Sequence, residues 1–123
     1  MSDYDIFLNK LFKLIPMLEG FYQKEINDYL PDELNMGIFM SDLGREILKI
    51  GFHNDEITRK LFTIIEEGYS SEVIGDIIAT CLIESLYFNA KNEDKNTILS
   101  LMEENSRNYI IEFCGIFGIP ISE

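Results

Sequence analysis

The chain has 123 residues, of which 46% are hydrophobic and 12% aromatic, so it is long enough and apolar enough to fold around one core. We therefore expect a single helical domain over residues 1–123. Its 22 acidic residues outnumber its 10 basic residues and give a formal charge of −12, which argues against direct binding to nucleic acid and suits a cationic partner.

Two features of the sequence predict a cytoplasmic location. The cysteines, Cys81 and Cys114, both fall in apolar helical runs, and a pair of this kind predicts reduced thiols instead of a disulfide framework. The N-terminus carries Ser2, Asp3 and Asp5 where a secretory signal would be positively charged, and no uncharged apolar run is long enough to span a membrane. We expect a cytoplasmic protein without a membrane anchor.

Hydrophobic periodicity predicts two helices in the first quarter of the chain. The first covers residues 2–15 and begins with Ser2 and Asp5, which have the spacing of a capping box. Pro16 ends this helix, because a proline inside a helix lacks the N–H donor, and it begins a second helix that reaches about residue 29.

The next part of the chain predicts two further helices. Residues 37–40 are apolar without helical spacing, and we interpret them as a loop or half-turn packed under the core. The pair at residues 41–42, Ser-Asp, predicts the start of a third helix, which ends at Gly51. Asn54 begins a fourth helix, and Gly68 is predicted to close it.

The stretch from Ser71 to Phe88 is predicted to be the central helix of the fold. Its apolar residues fall nearly all the way round the helix, which predicts burial on most sides: Val73, Ile74, Ile77, Ile78, Cys81, Leu82, Ile83 and Leu86. Gly75 and Ala79 lie four residues apart, where a neighbouring helix would approach closely. One narrow polar band is expected to reach solvent or a partner, and it consists of Glu72, Asp76, Thr80 and Glu84.

Two more helices follow a polar loop at residues 89–96, one near residues 97–103 and a strongly apolar one from about residue 106. No stretch alternates with the period of a β-strand. The sequence therefore predicts an all-α fold, a compact bundle of about six or seven short helices. The spacing of Gly51 and Gly68, about one helix and turn, leaves open a solenoid-like stack of helical hairpins.

The sequence shows no motif for catalysis, phosphate binding or metal coordination. The single histidine, His53, lies in a predicted turn with no neighbouring metal-ligand motif, and a surface position is the better interpretation. Asp76 and Glu84 are the best candidates for acid–base chemistry, but they stand about 12 Å apart along one helix. We therefore expect no enzymatic activity, no cofactor and no metal. A wet pocket shared by both carboxylates with His53 or Arg107 would revive the enzyme hypothesis.

The distribution of charge is the most informative pattern. Between Lys60 and Lys91 there are five acids and no base, which gives this interval a net charge of −5. Any one of these carboxylates is explained by solvation alone. Beside exposed aromatics such as Tyr69 and Tyr87, however, an acid-only zone is typical of a surface that docks a basic protein. The residues predicted to bind such a partner are Glu66, Glu67, Tyr69, Glu72, Asp76, Glu103 and Glu104.

Three segments resemble small bacterial all-helical immunity proteins of contact-dependent growth inhibition and related polymorphic toxin systems. They are residues 40–47, MSDLGREI, residues 73–86, VIGDIIATCLIESL, and residues 105–109, NSRNY, before a final apolar helix. Those proteins usually have Gly where this chain has Ser41. The resemblance implies a cytoplasmic protein that binds a cationic toxin domain, commonly a nuclease, and neutralises it by occluding the active site. We expect a monomer, with a dimer as the alternative.

Two alternatives remain open. Thr80, Glu84 and Arg107, together with Asp76, are also candidates for holding the fold together, because an arginine can bridge helices to a carboxylate. The chain could instead be a non-catalytic helical adaptor that binds a peptide or a partner helix, in which case its charge of −12 is incidental.

Overall fold

The computed structural model describes residues 1–121, and its seven helices with 77% of the residues in helix confirm the predicted all-α bundle. The helices are α1 (Asp3–Leu14), α2 (Met17–Tyr29), α3 (Met36–Ile50), α4 (Asp55–Tyr69), α5, α6 (Lys95–Leu101) and α7 (Glu104–Phe117). The fifth, α5, joins the consecutive stretches Gly75–Ile77, Ile78–Ile83 and Glu84–Phe88, and a 3-10 turn, Asn92–Asp94, precedes α6. None of the helices in residues 1–121 combines the length and apolar character needed to cross a lipid bilayer.

Polar caps set several of the predicted helix ends. Ser2 and Asp5 form the predicted capping box of α1, with the Asp5 N–H donating to Ser2 Oγ over 3.1 Å and the Ser2 N–H donating to the Asp5 carboxylate over 3.3 Å. Asn54 begins α4 as predicted, because its side-chain oxygen accepts from the Ile57 N–H over 3.0 Å. Gly51 follows the last residue of α3 with φ of 82°, a conformation that favours glycine.

The predicted start of α3 is wrong. Residues 37–40 belong to the first turns of α3, and Ser41 and Asp42 lie inside the helix. The cap is Asn35, whose side-chain oxygen accepts from the Ile38 N–H over 3.0 Å. Phe39 and Met40 in these turns are fully buried, and their burial outweighs the weak helix propensity of Gly37.

The prediction that Gly68 closes α4 is also wrong, since the helix continues to Tyr69. Gly68 instead makes room for α1, because an added Cβ would lie 2.8 Å from Cδ1 of Phe7. The helix pair α1 and α4 therefore meets at a position without a side chain on α4.

The helix at the centre of the bundle is α5, as predicted, but it begins at Gly75 and not at Ser71, since residues 72–74 form a turn. It contacts α3, α4, α6 and α7, so the helices are grouped around α5 and not stacked in a linear row of hairpins. Its buried side chains include Ile78, Ala79, Leu82, Ile83, Leu86 and Tyr87. The expectation that Tyr87 is exposed is wrong, since only 2% of its surface reaches solvent, and Val73, expected in the buried set, is 75% exposed.

The helices α3 and α5 approach each other closely. An added Cβ at Gly44 would lie 2.5 Å from Ser85 Oγ, so the two helices meet where both side chains are small. The Ser85 hydroxyl donates to the Ser41 carbonyl over 2.7 Å and links the helices at this point. Gly75 admits the end of a neighbouring helix, as predicted, since a Cβ there would overlap with the carbonyl oxygen of Tyr69, the last residue of α4.

The middle of α5, Ile78–Ile83, is a π-helix. The backbone N–H of Glu84 donates to the carbonyl of Ala79, five residues earlier. The Thr80 hydroxyl donates to the Asp76 carbonyl over 2.7 Å and competes there with the regular α-helical hydrogen bond. The wider turn rotates the residues that follow it relative to a regular α-helix.

Lys95 caps the C-terminal end of α5. Its Nζ donates to the carbonyl oxygens of Tyr87, Phe88 and Ala90 over 2.9, 3.2 and 3.1 Å. A lysine at this end also complements the partial negative charge of the helix terminus. The loop before α6 is thereby fixed to the end of α5.

Candidate functional site

A shallow polar cleft of about 410 Å³ lies where the end of α4 meets α7. It is lined by Tyr69, Ser70, Asn105, Asn108, Tyr109 and Glu112. Asp76 of α5 stands near it, since its charge acts on both tyrosines. We call these seven residues the acidic cleft.

Tyr69 and Tyr109 form the aromatic wall of the acidic cleft. Their rings are in edge-to-face contact, with centroids 5.7 Å apart and planes at 71°. The Tyr109 hydroxyl donates to the Glu84 carboxylate over 2.5 Å and so joins α7 to α5. Burial, and then the hydrogen bond and the charge of Glu84, raise the pKa of Tyr109 well above its usual range.

Carboxylates give the acidic cleft a negative potential. Burial raises the pKa of Tyr69, and the charges that raise it further are those of Glu112, Glu66 and Asp76. The negative potential of these carboxylates disfavours the negatively charged form of Tyr69, and the same potential attracts a cation. In the described part of the chain, the Asp76 and Glu112 carboxylates are exposed and have no hydrogen-bonding or ion-pairing partner. Both are therefore free to contact another protein.

Glu66, one of the predicted partner-binding residues, makes its contacts within the fold. One carboxylate oxygen accepts from the Asn105 N–H over 2.8 Å, and the other accepts from the Ser106 N–H over 2.9 Å and from Ser106 Oγ over 2.5 Å. Burial alone would raise the pKa of Glu66, but these hydrogen bonds and the charge of Arg107 lower it below its ordinary value. Glu66 thus caps the N-terminus of α7 from α4.

The remaining residues of the predicted binding set do not line the acidic cleft. Glu67 lies toward α1, where it forms an exposed ion pair with Lys10 over 3.3 Å. Glu103 accepts a hydrogen bond from the Thr63 hydroxyl of α4. The other two, Glu72 and Glu104, are exposed. Of the predicted binding residues, the structure therefore places only Tyr69 in the lining of the acidic cleft and Asp76 beside it, while Glu66 is bonded to the start of α7.

Thr80, Glu84 and Arg107, the polar residues also predicted to hold the fold together, differ in their contacts. Glu84 is half-buried and binds Tyr109, as described above, and Thr80 is exposed with its hydroxyl bonded to a backbone carbonyl of its own helix. Arg107 is half-buried, and its charge acts on Glu66. Within residues 1–121 it forms no ion pair with Asp76 or Glu84.

His53 is exposed in the turn between α3 and α4, as expected, and it does not line the acidic cleft. It lines two other cavities, both at the end of α3. Over the residues that the structure describes, no group of three or more His, Cys, Asp or Glu side chains is placed to hold a metal ion.

Five residues of the acidic cleft were missed in the sequence: Ser70, directly after α4, and four residues of α7. The four on α7 are Asn105, Asn108, Tyr109 and Glu112. Their spacing of three, four and seven residues from the first places them on one helical face. This polar stripe was the available signal, and the strongly apolar residues between its members obscured it.

Comparison with known proteins identifies a family and no function. The model of the DUF7674 family, described as a domain of unknown function, matches residues 8–116, a range that contains the whole acidic cleft. No curated protein and no solved structure matches the chain.

Proposed function

We propose that this chain, which belongs to the DUF7674 family, is a non-catalytic binding protein whose acidic cleft docks a cationic protein domain. The observation that carries the proposal is the exposed carboxylate of Glu112 in the cleft with the half-buried rings of Tyr69 and Tyr109, together with the exposed carboxylate of Asp76, whose charge acts on both rings. Tyrosines are enriched at protein interfaces because they offer a large apolar surface and a polar group. The amide groups of the cleft add hydrogen-bonding capacity.

The fold supports this role by holding the cleft in place before a partner arrives. Glu66 ties α4 to α7, and Glu84 ties α5 to α7, so all three helices that carry the cleft are linked by hydrogen bonds. A preformed surface loses less conformational entropy on binding. The net charge of −12 adds long-range attraction that speeds the encounter with a cation.

We infer that the partner is a toxin domain of the nuclease class and that the chain neutralises it in the cytoplasm by covering its active site. A nuclease collects cationic side chains around its cleft in order to bind phosphates. A carboxylate surface offers a similar charge to those side chains. The resemblance of three segments to immunity proteins is the reason to prefer a toxin over other basic proteins.

The test is protection of cells from the toxin domain that we expect to be encoded beside this chain. Wild-type chain should restore growth when it is co-expressed with that toxin. The variant Asp76→Lys/Glu112→Lys should not, because its two lysines repel a cationic surface. Failure of the wild-type chain to protect would contradict the proposal.

A matched control separates the acidic cleft from total charge. Asp32→Lys/Glu33→Lys makes the same change in net charge at two exposed residues between α2 and α3. This control should protect as well as wild type does. Equal loss of protection in both variants would mean that overall charge, and not the acidic cleft, attracts the toxin.

A second candidate function is the helical adaptor, and one observation favours it. Ile116 and Phe117 at the end of α7 are 78% and 65% exposed. Exposed apolar side chains of this size are typical of contact with an apolar peptide or helix. An adaptor would lose its partner on Phe117→Ser and keep it on Asp76→Lys/Glu112→Lys, which is the reverse of the result expected for a toxin.

A further inference from the structure

A cavity at the end of α3 has a basic lining although the protein as a whole is acidic. It has a volume of about 670 Å³ and lies between the C-terminal half of α3, the loop after α5 and the start of α6. Arg45, Lys49 and Lys91 line it, and they are three of the ten basic residues in the chain. The single acid in the lining is Asp94, so three bases against one acid give a net charge of +2 with histidine neutral. We call this the basic cavity.

The walls of the basic cavity are largely apolar. Leu48 and Phe52 are half-buried beside it, and Ile98 is only 1% exposed. The ring of Phe52 packs on Phe62 of the core, with centroids 5.7 Å apart, which holds this wall in position. An apolar cavity of a few hundred cubic ångströms with a few polar groups is the usual form of a small-molecule site.

The turn after α3 places a histidine at the basic cavity. Gly51, with φ of 82°, reverses the chain directly after the helix. The imidazole of His53 folds back over this glycine, since an added Cβ at Gly51 would lie 2.7 Å from His53 Nε2. The cavity wall therefore includes a ring that can donate a hydrogen bond.

We propose that the basic cavity binds a small organic anion with a phosphate or carboxylate head and an apolar body. Lys49 and Lys91 are exposed, and neither forms an ion pair with any residue from 1 to 121, so both are available to the head group. Arg45 is paired with Asp42 over 3.0 Å and is the less available base. The apolar body would lie against Phe52. This site is separate from the acidic cleft and does not depend on the proposed function.

Octyl phosphate is a suitable probe, because it joins an anionic head to a short apolar chain. Titrated into the full chain below its micelle concentration, it should shift the backbone amide NMR signals of residues 48–53 and 89–98 in a saturable way. Inorganic phosphate has the head alone, and octyltrimethylammonium has the same tail with the opposite charge. Both should bind at least about tenfold more weakly, since each lacks one half of the recognition.

Two variants test the basic residues. Lys49→Gln/Lys91→Gln should weaken octyl phosphate binding about tenfold, because both cations near the head group are lost. Lys13→Gln/Lys24→Gln makes the same change in charge at exposed residues of α1 and α2 and should leave binding unchanged. An equal effect of both variants, equal binding of octyltrimethylammonium, or shifts that do not saturate would overturn the proposal, since each indicates non-specific adsorption.

Discussion

Replacing Glu66 by glutamine tests the hydrogen bonds that join α4 to α7. In Glu66→Gln one carboxylate oxygen becomes an amide nitrogen, which cannot accept a bond from either Asn105 or Ser106. Ser106 is only 1% exposed, so water cannot easily take the place of the lost acceptor. A hydrogen bond to a charged group contributes about 1.5–3 kcal/mol, and the partial exposure of Glu66 reduces its share. We expect the free energy of unfolding to fall by about 2 kcal/mol.

Urea unfolding followed by circular dichroism measures this change, and the next residue provides the control. Glu67→Gln makes the same chemical change in an ion pair whose side chains are 47% and 54% exposed. Exposed pairs of this kind contribute little, so the control should change the free energy of unfolding by less than about 0.5 kcal/mol. Equal losses in the two variants would refute the role given to Glu66.

The same variant has a defined pH dependence. Burial alone would raise the pKa of Glu66. The hydrogen bonds from Ser106 and Asn105 and the charge of Arg107 outweigh burial and hold this pKa below its ordinary value of 4.5 in the folded state. Its stabilisation is therefore present above the unfolded pKa and is lost as the pH falls through the folded pKa. The difference between wild type and Glu66→Gln should be full at neutral pH and shrink below pH 4.5. A difference independent of pH would refute the reasoning.

Two further predictions concern the packing of α5. Gly44→Ala should lower the free energy of unfolding by about 2 kcal/mol or more, because its Cβ would overlap with Ser85. The control Gly20→Ala should raise it by up to about 1 kcal/mol, since a Cβ there meets no atom within 4 Å. Equal urea midpoints for the two variants would contradict the close contact. Tyr109→Phe removes the hydroxyl bonded to Glu84 and should cost about 1 kcal/mol at neutral pH. Burial, and then the hydrogen bond and charge of Glu84, raise the pKa of Tyr109 in the folded state, so the stabilisation by Tyr109 is present below the unfolded pKa of 10.0 and is lost at higher pH. Tyr109→Phe should therefore lose less stability than wild type in alkali. Identical alkaline unfolding curves would contradict this.

Local signals in the sequence were sufficient for much of the fold. The capping box at Ser2, the break at Pro16 and the cap at Asn54 depend on residues a few positions apart, and the structure confirms each. The predicted start of α3 was wrong because residues 37–40 are apolar without helical spacing, whereas their helical state depends on burial against other elements. The π-helix in α5 was not predicted either, because the spacing of apolar residues in the sequence does not distinguish a short π-helix from an α-helix.

The candidate site was predictable only in part, for a related reason. The deficit of bases around Asp76 was visible in the sequence, because net charge needs no knowledge of the fold. The role of Glu66 was not visible, since its partners Asn105 and Ser106 lie far along the chain and meet it only after packing. Glu112 was not visible either, because it lies on α7, where apolar residues dominate the sequence pattern.

In the proposed function, Asp76 and Glu112 draw a cationic domain into the acidic cleft. The most direct test is the association rate constant with the cognate toxin domain, measured by stopped flow for wild type and Asp76→Lys/Glu112→Lys at low and high salt. We predict association about tenfold slower for the variant at low salt, with the difference shrinking as salt screens the charges. Equal rate constants for the two proteins at low salt would contradict the claim.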